Sequence, residues 1–215
     1  MSFKYNGILE NGKDEFIEKK SKFIGYAFKV ENEEEALEIL EKIKKKHNDA
    51  THNCSAYIIG EDKLIQRYND DGEPSGTAGV PILEVLKKED LTNIMVIVTR
   101  YFGGILLGAG GLVRAYTKGA KIAIDASKKV EMTEYNNISI KYDYTYHGSI
   151  QNYLIKNQHI IINENFTDKV EISIHLLEED RKTIDDLKNM TNGTIEIKVL
   201  SKDILPVLNG KIIYK

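Results

Sequence analysis

This chain is short of several residue types. In 215 residues it has one cysteine, three prolines and no tryptophan. Cys54 has no internal partner, so no disulfide staples the fold, which fits a reducing compartment. No apolar run approaches the ~20 residues that a helix needs to cross a bilayer. The opening Met1-Ser2-Phe3-Lys4-Tyr5-Asn6 lacks the apolar stretch of a secretion signal. A cytoplasmic protein without membrane contact is the expectation. An excess of charge is missing too. Thirty Lys and Arg against 33 Asp and Glu leave a net charge of −3, so no whole-molecule field favours nucleic acid or membrane. Arginine is scarce, with four against 26 lysines. Three of the four, Arg67, Arg100 and Arg114, fall between Gln66 and Ala115. A planar guanidinium suits phosphate and carboxylate in a way that lysine does not.

What the chain does have is enough apolar content, 41%, for one or two ordinary cores. Its organising stretch runs from Ile94 to Ala126. An apolar strand, Ile94-Met95-Val96-Ile97-Val98-Thr99, leads into a turn from Arg100 to Gly111 and then a helix from Leu112. Five of the 16 glycines, Gly103, Gly104, Gly108, Gly110 and Gly111, sit in that turn. A helix start offers unpaired N–H groups and the positive end of a dipole, so such a turn can hold an anion. Equally, the glycines can serve close packing of helix on sheet.

Before this stretch, Phe16 to Val30 reads as a strand or hairpin. Asn32 with Glu35 forms a capping-box pattern ahead of a helix carrying Ala36, Leu37, Leu40 and Ile43, closed by Lys44-Lys45-Lys46. Ser55–Ile59 and Lys63–Tyr68 read as a hairpin around Gly60-Glu61-Asp62. A second glycine-rich loop, Asn69 to Pro81, precedes a helix at Ile82-Leu83-Glu84-Val85-Leu86, with Pro81 suited to its first turn. The pattern resets near Lys128–Glu134, which places a boundary between domains 1–130 and 131–215. The second domain shows alternating Ile138 to Tyr146, a helix at Ile150 to Leu154, a strand at Ile160–Asn163, a strand through Val170 to Leu176, a helix at Ile184 to Met190 and a strand at Ile195 to Val199. The order β-α-β-β-α-β is the ferredoxin-like arrangement. Leu205–Lys215 reads as a small packed extension or a frayed tail.

The two glycine loops also carry a resemblance. Asp70-Asp71-Gly72-Glu73-Pro74-Ser75-Gly76-Thr77-Ala78-Gly79 and Thr99-Arg100-Tyr101-Phe102-Gly103-Gly104, continued by Leu107-Gly108-Ala109-Gly110-Gly111-Leu112-Val113-Arg114-Ala115-Tyr116, closely resemble the signatures of the YigZ/IMPACT family. The chain looks like a bacterial two-domain member. The resemblance implies an α+β protein: an N-terminal α/β sandwich like the second domain of ribosomal protein S-five, then a ferredoxin-like βαββαβ domain like the last domain of elongation factor G. It also implies a link to translation control. The eukaryotic relatives bind an activator of a starvation-responsive initiation-factor kinase and hold that stress pathway down. They do so with an extra partner-binding domain that this sequence lacks. Bacterial members have no settled biochemical role, and the family offers no agreed catalytic residues. Some members carry a dipeptidase label, which the residues here do not support.

His47, His52 and Cys54 with Asp70, Asp71 and Glu73 do not match a zinc spacing, and no metal or cofactor is expected. Gly72-Glu73-Pro74-Ser75-Gly76 is not a nucleophile elbow, and Ser75 suits a turn. The Gly103–Gly108 run is not a Walker loop, since Ala109-Gly110 follows in place of Lys and Ser/Thr. An anion or nucleic-acid site is therefore expected at Arg100, Tyr101, Gly103, Gly104, Gly108, Gly110, Gly111, Arg114 and Lys118. Tyr101 and Phe102 are candidates for stacking on a base, or else core. Asp71, Gly72, Glu73, Ser75, Gly76 and Thr77 form a secondary loop whose acids are expected to pair with Arg67, Arg100 or Arg114, the alternative being a magnesium ion held beside a phosphate. The expected partner is RNA, the ribosome or a translation-associated protein. The alternatives are an enzyme acting on a phosphorylated small molecule or a peptide (GHMP-kinase-like or hydrolase) and a protein-interaction scaffold.

Overall fold

The structure is a computed structural model describing residues 3–214. Its elements are β1 (Lys4–Ile8), β2 (Gly12–Glu18), β3 (Ser21–Lys29), α1 (Glu33–Lys46), β4 (His52–Ile59), β5 (Ile65–Asn69), α2 (Gly79–Lys88), β6 (Ile94–Tyr101), α3 (Ala109–Ser127), β7 (Lys129–Tyr142), α4 (His147–Lys156), β8 (Ile161–Phe166), β9 (Val170–Leu176), α5 (Arg181–Met190), β10 (Glu196–Leu208) and β11 (Lys211–Ile212). The chain divides into two compact units. One is Tyr5–Glu131. The other is Met132–Lys215 with the start of the chain as far as Lys4.

In the first unit five strands form an antiparallel sheet in the order β2-β3-β6-β4-β5. Alternate side chains supply two faces. Phe23, Ala27, Cys54, Ala56, Ile58, Val96 and Val98 face α2 and α3. Ile24, Tyr26, Tyr57, Ile59, Met95 and Ile97 face Ala36, Leu40 and Ile43 of α1. β6 lies in the middle with both faces covered, which is why its sequence is apolar without a break from Ile94 to Val98. Asn32 caps α1 as its sequence requires, accepting the Glu35 N–H at 2.8 Å, while Glu35 reaches back to the N–H of Glu31 rather than of Asn32. α3 lies close on the sheet because glycine meets glycine: a Cβ on Gly25 would stand 2.1 Å from the Gly119 carbonyl oxygen.

Phe16 to Val30 resolves into the β2–β3 hairpin. Its two-residue turn is Lys19-Lys20, with φ of 44° and 67°. That is the geometry of a type I′ turn, where Asn-Gly is the usual pair. Two lysines carry no turn signal, so the hairpin was not separable from a single strand by sequence.

The second unit has the strand order β10-β7-β9-β8, with β11 added beside β10. α4 and α5 contribute Ile150, Leu154 and Leu187 to a core with Ile138, Ile140, Tyr142, Val170, Ile172 and Ile174. This is the ferredoxin-like arrangement, and the molecule is α+β. The last strand runs further than its alternation indicated: Leu205 and Val207 belong to β10, held by pairing of Val207 with Ile212. Lys215 lies outside the described residues.

Candidate anion-binding site

β6 ends in Thr99-Arg100-Tyr101, and the pleat sends these side chains to opposite faces. Arg100 points inward and is 5% exposed. Its Nη1 donates to Glu73 Oε1 at 2.6 Å, and Tyr116 Oη of α3 donates to the same oxygen at 2.7 Å. The guanidinium lies 5.5 Å from both the Phe23 and the Phe102 ring centroids. Nη2 reaches Ser21 Oγ at 3.5 Å, and Nε has no partner. The two signature motifs are therefore joined inside the protein by one charge-assisted hydrogen-bond cluster. Burial raises the Tyr116 hydroxyl above its ordinary pKa, and its neighbours Cys54 and Glu73 push the same way, so it remains a donor. Arg100 was expected in a solvent-facing anion receptor. Its burial and its Glu73 partner remove it from that surface.

Tyr101 is also engaged. Its Oη donates to Asp49 Oδ1 at 3.1 Å and contacts His47 Nδ1 at 2.8 Å. With the phenol proton committed to Asp49, Nδ1 carries the imidazole proton. Nε2, 2.7 Å from Tyr26 Oη, then accepts from that hydroxyl. A ring tied at its hydroxyl is poorly placed to stack on a base. Phe102 is the more exposed aromatic, at 45%.

The turn after β6 is pinned at its start and open at its end. The Phe102 N–H donates to Thr51 Oγ1 at 3.0 Å and the Gly103 N–H to Ser21 Oγ at 3.1 Å. Any Cβ on Gly103 would lie 2.0 Å from the Lys20 carbonyl carbon, so this glycine is there for packing. Gly108 has φ of 69° with open space around it, and heads α3 with no side-chain cap. The first intrahelical bond runs from the Leu112 N–H to the Gly108 carbonyl at 2.9 Å. That leaves the N–H groups of Ala109, Gly110 and Gly111 without an acceptor among the described residues, as at any uncapped helix start. Gly108, Ala109 and Gly110 are exposed. Arg114 is exposed, and its Nη1 folds back to 3.7 Å from the position of a Cβ on Gly110. Lys118 is exposed, with its ammonium 4.3 Å above the Phe16 ring. Ile105 and Leu106, 42% and 82% exposed, flank this helix start.

The secondary loop is filled from within. Asp70 occupies the start of α2: Oδ1 accepts from the N–H groups of Ala78 at 3.0 Å and Gly79 at 2.8 Å, and Oδ2 from Gly76 at 2.9 Å. Sequence reasoning missed this role because the cap sits nine residues before the helix it caps. Asp71 bonds the Asn53 N–H at 2.7 Å and Lys44 Nζ at 2.9 Å. Burial works to raise the Asp71 pKa, but the Lys44 and Asn53 bonds outweigh it and hold the carboxyl below its ordinary value. Gly72 lies over the His52 ring, Thr77 donates to the Pro74 carbonyl, and Ser75 is exposed. Glu73 thus pairs with Arg100 and Asp71 with Lys44, while Arg67 pairs with Glu33. Burial pushes the Cys54 thiol well up, so it stays protonated and behaves as core. Among the described residues, no group of three His, Cys, Asp or Glu could hold a metal ion. No described helix is long and apolar enough to cross a membrane.

Comparison with known proteins bears on this arrangement. The Impact N-terminal domain family matches residues 19–124, and a domain of unknown function, DUF1949, matches residues 140–194. IMPACT family member YvyE of Bacillus subtilis (strain 168) is 44% identical over 199 residues, covering 92% of each chain. This chain belongs to the IMPACT family. A crystal structure described as that of a hypothetical protein aligns with this IMPACT member over 94% of its length and 98% of the other chain, at 28% identity and a TM-score of 0.60. The IMPACT homolog of Dictyostelium discoideum is 41% identical over 95 residues, 42% of this IMPACT member but 27% of the larger protein.

Proposed function

We propose that this IMPACT family member is a regulatory binding protein of the translation apparatus. It engages RNA, the ribosome or a translation factor through the segment from Gly104 to Arg114. One observation carries the reading: among the described residues the N–H groups of Ala109, Gly110 and Gly111 have no cap at an exposed helix start, and Arg114 Nη1 lies 3.7 Å from where a Cβ on Gly110 would stand. Free amides, a helix dipole and an arginine together favour an anionic partner. The translation link rests on the family resemblance.

The enzyme alternative needs Asp71, Glu73 and Arg100 to converge on one ligand. All three are instead spent on internal partners: Asp71 on Lys44 and Asn53, Glu73 on Arg100 and Tyr116. This favours a contact surface over a reaction centre. The test is co-sedimentation of the purified chain with ribosomes at low salt. Arg114→Glu is expected to abolish it with almost no change in melting temperature, because the side chain is exposed. Equal co-sedimentation of variant and wild type would rule the reading out.

A further inference from the structure

The β2–β3 turn adds a second set of cations at the same end of the first unit. β2 and α3 run side by side in opposite senses: Gly12 at the start of β2 meets Ala123 and Ser127 at the end of α3, and Phe16 meets Lys118. From Gly12 to Lys19 the strand advances about 23 Å at ~3.3 Å per residue. From Ser127 back to Ala109 the helix advances about 27 Å at ~1.5 Å per residue. The Lys19-Lys20 turn therefore stands level with the first turns of α3. Gly103 fixes it there by packing on the Lys20 backbone.

Lys19 and Lys20 are exposed, and no described residue pairs with either ammonium. Both hold left-handed φ angles where Asn-Gly would fit with less strain. Nearby, Lys22 is paired with Glu15 at 2.9 Å, and Glu18 is the exposed acid beside the turn. The exposed cations beside it are Lys19, Lys20, Arg114 and Lys118, the last lying over the Phe16 ring. Phe102, next to the Gly103 that packs on Lys20, is half exposed, with one ring face on the Arg100 guanidinium. That guanidinium is buried and its Nε has no partner.

We infer that this end of the molecule is a binding surface for single-stranded RNA. Lys19, Lys20 and Arg114 meet phosphates, and Phe102 stacks on a base. The inference rests on the binding reading above and names its ligand class. A double helix offers no base face to Phe102, and a bare polyanion offers no base at all. A single strand satisfies both the cations and the ring, and the guanidinium behind Phe102 strengthens its stacking.

The test is fluorescence anisotropy of labelled oligouridine with the full chain over a series of salt concentrations, with heparin as the comparison. Lys19→Glu/Lys20→Glu is expected to weaken oligouridine binding at least about tenfold at low salt. It should flatten the log–log salt slope by roughly 1.4, the share of two phosphate contacts on a single strand. Its melting temperature should match wild type. Phe102→Ala is expected to weaken oligouridine roughly five- to 100-fold and leave heparin binding unchanged. Unchanged oligouridine affinity in the double-lysine variant would overturn the inference, as would equal losses for oligouridine and heparin in Phe102→Ala. A wild type that co-sediments with ribosomes in an Arg114-dependent way yet ignores oligouridine would overturn this inference alone. Absence of both would overturn the binding reading as well.

Discussion

Arg100 and Glu73 set the terms at the scale of the residue. The sequence singled out both, and their pairing was among its expectations. It gave no sign of depth. An arginine at a strand end is buried or exposed according to what packs on that face, and here Phe23, Phe102 and Tyr116 cover it. A buried ion pair does not by itself signal stability, but leaving one partner alone is costly. Glu73→Ala is expected to destabilise the first unit by about 3–5 kcal/mol, because it strands the guanidinium and removes the acceptor of Tyr116. Urea denaturation measures this. A loss below about 1 kcal/mol would show that the cluster relaxes or takes in water. Arg114 presents the opposite case. Nothing covers it, and its substitution should change binding without touching the fold.

At the scale of the element, β6 hands its neighbours different tasks through alternation. Arg100 joins the α3 face, while Tyr101 ties the strand end to the end of α1 through His47. His47 is 8% exposed. Burial, and then the Lys46 charge, lower its pKa from the ordinary 6.5, against a smaller opposing effect of Asp49. Lys13 and Lys22 also lower it, and its hydrogen-bond partners are the hydroxyls of Tyr26 and Tyr101. The folded protein thus prefers neutral imidazole more than the unfolded chain does. Its contribution is complete above about pH 6.5 and is lost as pH falls below that toward the depressed folded value. The melting temperature should therefore drop between about pH 7.5 and pH 5.5, and His47→Gln should flatten that part of the profile. An unchanged profile would show that other groups control it. His47 drew no assignment beyond a rejected zinc ligand, because its two tyrosine partners lie 21 and 54 residues away in sequence.

For the whole molecule, the question is how far the two units depend on each other. Their cores are separate clusters: Phe23, Val96 and Tyr116 belong to one, Ile140, Ile172 and Leu187 to another. Ile172 is 1% exposed at the centre of the second. Ile172→Ala should cost the second unit about 2–5 kcal/mol through lost contacts and a cavity. Ribosome co-sedimentation through Arg114 should persist wherever the first unit stays folded. Calorimetry followed by co-sedimentation checks both. Loss of binding while the first unit's transition is intact would place part of the contact in the second unit.

Local pattern alone carried the element order. The unbroken apolar run of β6, the Asn32 cap and the alternation of β7 and β9 are short-range facts, and short-range forces produce them. The two glycine-rich loops were legible for the same reason, since glycine's freedom at positive φ marks turns by composition. Long-range pairing decided the rest. Asp70 fills the start of α2, Arg100 turns inward to Glu73, and the Lys19-Lys20 turn is carried to the start of α3. Each outcome depends on groups far apart in the chain, whose meeting is governed by sheet register and helix packing. The start of α3 stays open for the complementary reason: no carboxylate of a described residue caps it.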